Sequence, residues 1–187
     1  KTEPRFQSSD GLNTQLVFGI DVEGMKPGQE IIVHSENTFG FPIRSLSNIP
    51  AGDYFVQALI NRYETFNLKT GHTVKLPPDQ GEGQHWNIKP GNFFSKPLKV
   101  SLDPSKKEVV KIIMDQKVPP VEEPTDTKYV RHIKIQSKLL SEFWGRPMFI
   151  GAHVLVPEGF DEHPEAHYPL MIYHGHFPSD FGGFSTE

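Results

Sequence analysis

Residues 170–176 read LMIYHGH, an apolar run that ends in two imidazoles separated by one glycine. On an extended strand alternate side chains share a face, so His174 and His176 have the spacing of a His-x-His zinc site. A third ligand would come from His153, His163, His167 or a carboxylate. Gly175 and the turn it favours work against that geometry, and His163 and His167, at helical i,i+4 spacing, fall in a polar loop. The plainer alternative is a strand ending whose two imidazoles bond to nearby carbonyls. Ser179 and Ser185 lie near glycines, as nucleophiles often do, but lack the strand–serine–helix setting such a nucleophile needs. A further pair, His85-Trp86, sits in DQGEGQHWN, where an indole can stack on a sugar or phenolic ring or else pack on its own domain.

Composition narrows the field in which these groups work. The chain has 187 residues, 36% hydrophobic and 22% charged, with a net charge of −4. That length accommodates one large or two small domains. Basic residues are scattered, which argues against a nucleic-acid partner. No apolar stretch is long enough to span a membrane as a helix. Cysteine is absent, so disulfides, thiol catalysis and cysteine-held metal centres are excluded. The first residues, KTEPRF, lack an initiator methionine, as after removal of an export signal or after trimming; a secreted or periplasmic location is the expectation.

The elements that must position these groups are short. Seventeen prolines and 16 glycines recur at close intervals, which favours strands over long helices. Alternation predicts strands at 14–22, 30–34, 54–63, 72–76, 97–102 and 109–114, with 77–94 a long loop between two of them. That set fits an antiparallel β-sandwich over 1–117, and IPAGDYFVQALIN resembles the turn and strand of Ig-like accessory domains. Residues 118–127, VPPVEEPTDT, read as an extended linker. In 128–187 the pattern predicts strands at 129–140 and 149–157, a turn at SEFWGRPM, and a covered strand at 170–176. No amphipathic helix is expected.

This last segment, SKLLSEFWGRPMFIGAHVLVPEGFDEHPEAHYPLMIYHGH, resembles the start of an α/β-hydrolase of the esterase D-like group. The resemblance lies in the order of Gly145-Arg146, then Leu155-Val156-Pro157-Glu158-Gly159-Phe160, then Tyr168 to Gly175, and it covers about a third of the chain. It implies a mainly β chain in which an Ig-like β-sandwich precedes the first strands of an α/β-hydrolase sheet. It also implies a serine esterase acting on a small-molecule or polysaccharide-linked carboxylic ester, with no cofactor. The loop after the third strand would supply backbone N–H donors to the oxyanion, from His176 and Phe177, with His174 and Gly175 shaping the loop. His85 and Trp86 are candidate substrate contacts. The nucleophile elbow Gly-x-Ser-x-Gly does not occur, so the nucleophile, acid and triad histidine are expected on a longer chain or on a second polypeptide. A non-catalytic carbohydrate- or surface-binding β-sandwich module is the competing expectation.

Overall fold

The structure is a computed structural model that describes residues 3–106 and 108–175. Its strands are β1 (Val17–Gly19), β2 (Phe39–Phe41), β3 (Gly52–Val56), β4 (Leu59–Ile60), β5 (Glu64–Asn67), β6 (Thr73–Leu76), β7 (Phe93–Phe94), β8 (Leu98–Leu102), β9 (Gln116–Lys117), β10 (Val130–Gln136) and β11 (Phe149–Leu155). One α-helix is described, α1 (Lys138–Trp144). The chain is therefore mainly β, and every pairing among the described residues is antiparallel. No helix among them is long and apolar enough to cross a membrane.

The described residues divide into two compact units. One comprises the residues up to Asn61 together with Gly91–Val118; the other comprises Arg62–Pro90 together with the residues from Pro119 onward. Compact packing and composition thus partition the chain differently: composition changes at 118–127, whereas packing sends 62–90 to the C-terminal residues.

The first unit holds the ladders β1–β2, β3–β8 and β4–β7–β9. A continuous strand over 54–63 is not formed, because the chain breaks pairing at Gln57-Ala58 to satisfy a buried side chain. Ser95, 2% exposed, accepts the Ala58 N–H on its Oγ at 3.0 Å while its own N–H reaches the Ala58 carbonyl at 2.9 Å. Gln57 Nε2 donates to the Ser95 carbonyl and to Glu3 Oε2, both at 2.8 Å. A side chain that captures backbone groups in this way substitutes for ladder bonds.

The same competition removes the strand expected at 30–34. Asn37 Oδ1 accepts the His34 N–H at 2.8 Å, and Asn37 Nδ2 donates to the Ile32 carbonyl at 2.8 Å. The segment closes on itself as a turn, leaving Ile32 77% exposed, and β1 pairs with β2 instead. Residues 109–114 likewise join no ladder, with Val109 and Ile113 turned outward.

In the second unit β5 and β6 form a hairpin closed by the Leu68 N–H on the His72 carbonyl at 2.8 Å. β10 and β11 pair over their whole length, Val130 opposite Leu155 and Gln136 opposite Phe149. The connection between them is a helix rather than the expected turn and strand extension. Ser137 caps it, its Oγ accepting the Leu140 N–H at 3.3 Å, and Gly145 ends it in the left-handed region at φ 66°. Lys138, Leu139 and Leu140 are good helix formers, and these three features outweigh the alternation that continues from β10.

Of the strand expected at 170–176, the described residues 170–175 form no part. Leu170, Met171, Ile172 and Tyr173 are 79–89% exposed and hydrogen-bond to no neighbouring strand among the described residues. An apolar run of this kind becomes a covered strand only where flanking strands take up its N–H and C=O groups.

Candidate functional site

His174 is exposed and Gly175 half-buried at the end of that unpaired run. His176 and Phe177, the expected oxyanion donors, lie outside the described residues, as do Ser179 and Ser185. The β10–β11 hairpin precedes these residues in the chain. β11 ends at Leu155, Val156 is buried at 5% exposure, and its N–H donates to the Tyr129 carbonyl at 2.8 Å. Gly159, at φ 74°, then admits the tight turn Phe160–Glu162. Arg131 of β10 reaches across to Asp161 at 2.5 Å, and the Phe160 ring lies 5.7 Å from that of Tyr168. Residues 129–168 thus steer the chain from the hairpin into the apolar run that carries His174.

The metal alternative finds no partner set in the described residues. No group of three or more His, Cys, Asp or Glu side chains among them could hold a metal ion. His163 closes a turn, its carbonyl accepting the Ala166 N–H at 3.0 Å. His153 is placed elsewhere, on β11 opposite His132 of β10, with the two rings edge-to-face at 4.8 Å.

This second cluster depends on the β10–β11 register, which the linear sequence does not carry. Asp126 Oδ1 accepts the His132 backbone N–H at 2.8 Å and lies 3.2 Å from its ring Nδ1. His153 Nδ1 is buried and has no hydrogen-bond partner. The backbone N–H of His132, then its ring and the nearby Arg131, hold the Asp126 carboxyl below the usual aspartate range. A carboxylate depressed by folding contributes stability above its unfolded value, and that contribution is lost as pH falls through the folded one. An Asp126→Asn variant is therefore expected to flatten the stability profile below about pH 4, the ordinary aspartate range. Parallel unfolding curves for the two proteins between pH 2 and 7 read this directly; identical slopes would contradict it.

His85 and Trp86 occupy an exposed turn in the second unit. The loop behind them is built rather than slack. Asp79 Oδ1 accepts the N–H groups of Gly81 and Gly83 at 2.8 and 3.3 Å. Glu82 Oε2 accepts the Gln80 N–H at 2.8 Å, and the Gln80 side chain donates to the Pro90 carbonyl at 3.2 Å. Gln84 takes a positive φ of 65°, and the Ile88 N–H returns to the His85 carbonyl at 3.0 Å. Glu82 and Lys89 are buried at 6% and 3% exposure. Burial pushes the Lys89 ammonium below the usual lysine range, against the pull of Glu82 and Glu64, and it donates to the Arg62 carbonyl. Trp86 remains 38% exposed on this frame, an indole presented with little ordering left to lose on binding.

Compared with known proteins, the chain matches no family model, no curated protein and no solved structure.

Proposed function

We propose that these residues are part of a serine esterase that hydrolyses a carboxylic ester through an acyl-enzyme. The chain contributes the loop from His174 to Phe177 and not the nucleophile. The observation that carries this reading is the order of its parts along one path. Gly145-Arg146 closes α1, Leu155 to Phe160 leaves β11 through a left-handed glycine, and Tyr168 to Gly175 follows as an apolar run with a histidine-glycine exit. The exposed Leu170–Tyr173 segment supports it too. Such a run suits the interior of a larger sheet, whose remaining strands would cover it and align the N–H groups beyond Gly175 toward the developing oxyanion.

The test is a serine-directed phosphonate added to the natively purified protein, followed by a denaturing mass spectrum. The expected result is an adduct on a serine of a Gly-x-Ser-x-Gly segment, either in a longer form of this chain or in a polypeptide that copurifies with it. A single unmodified species near 21.2 kDa would overturn the reading.

The ordered loop around His85 and Trp86 favours a second reading, a non-catalytic module that binds polysaccharide by ring stacking on Trp86. Retention on a polysaccharide without phosphonate labelling would support it.

A further inference from the structure

The Gly145-Arg146 turn does more than end a helix. Phe66 of β5, buried at 5% exposure, lies with its ring 5.3 Å from Trp144, edge-to-face, and under the Arg146 guanidinium at 4.7 Å. Arg146 Nη1 also donates to Glu64 Oε2 at 2.6 Å. The Lys69 N–H donates to the Phe143 carbonyl at 2.8 Å, and its ammonium pairs with Glu142 at 3.2 Å. The hairpin comes so close that a Cβ on Gly145 would stand 2.8 Å from the Asn67 carbonyl oxygen. Beyond the hairpin, Gly81 lies against Val121.

We propose that residues 62–90 form an arm of the C-terminal unit, clamped on the Gly145-Arg146 turn, with Arg146 the residue that positions it. The arm carries His85 and Trp86 in its exposed turn, and the clamp stands independently of the esterase reading. An exposed ion pair alone contributes little, but here the guanidinium bridges Glu64 while covering the face of a buried ring, which adds a cation–π contact.

Hydrogen exchange on the 187-residue chain tests the clamp. Glu64→Arg and Arg146→Glu, each alone, are expected to speed exchange of the Phe66 and Lys69 amides on the order of tenfold, the size typical of a coupled pair. The combined Glu64→Arg/Arg146→Glu protein is expected to recover most of that protection, which a merely destabilised fold would not do. β3 and β8 should exchange unchanged throughout. Unaltered Phe66 and Lys69 exchange in the single variants, no recovery in the pair, or equal loss in β3 and β8 would each overturn the clamp. Absence of phosphonate labelling would instead remove the esterase reading and leave these exchange results standing.

Discussion

A Phe66→Ala variant is expected to lose about 3–5 kcal/mol of stability, the usual cost of emptying a phenylalanine site. Phe66 is the buried ring of its hairpin and lies between the Trp144 indole and the Arg146 guanidinium. Truncation removes the partner of both at once, and the Gly145 backbone, held close to Asn67, leaves little freedom for collapse into the space. Since small domains have about 5–15 kcal/mol in total, the loss would be a large part of the stability of the C-terminal unit. Urea unfolding followed by tryptophan emission measures it, because Trp144 reports on this contact. A midpoint shift corresponding to less than about 1 kcal/mol, the scale of a surface change, would mean that the hairpin only rests on α1.

The second large effect is catalytic. On the proposed esterase reading, His176→Pro is expected to lower kcat by about 100- to 1000-fold with a small change in KM. Proline removes the backbone N–H at the position that the resemblance assigns to the oxyanion hole, and the loss of one such donor typically costs this much. The split between kcat and KM matters, because a donor aimed at the tetrahedral intermediate adds little to ground-state binding. Equal rates in the variant and the parent would remove His176 from the reaction. A large rise in KM with kcat retained would make it a binding residue.

The antiparallel, mainly β character was legible in the spacing of apolar residues and turn formers, and β6, β8 and β11 lie where alternation places them. The misses have local causes. At 30–34 the hydrophobic pattern is strand-like, but Asn37 three residues later takes the backbone bonds that a ladder would need. At 138–144 the strand-like pattern of β10 runs on through Leu139 and Leu140, while Ser137 and Gly145 mark a capped helix between them. Those two caps were the available signal, and periodicity hid them. At 170–173 the composition suits a covered strand, but composition cannot supply the neighbours that make one. The His132–His153 pairing and the Phe66–Trp144–Arg146 stack depend on register and on contacts between distant segments, which a linear pattern does not encode.

The route of the chain also bears on how the protein is made. Glu64 and Arg146 are 82 residues apart in sequence, and the first unit is complete at Val118, before α1 has been translated. At roughly 5–20 residues per second, the hairpin emerges on the order of 4–16 s before its clamp exists. During that interval Phe66 has an apolar ring and no partner to bury it, and the N-terminal strands are free to fold around the gap. A nascent chain that has emerged only as far as about residue 130 would therefore hold all the residues of the first unit while Phe66 still lacks Trp144 and Arg146. That nascent form is the one most open to proteases and to chaperones that bind exposed apolar segments.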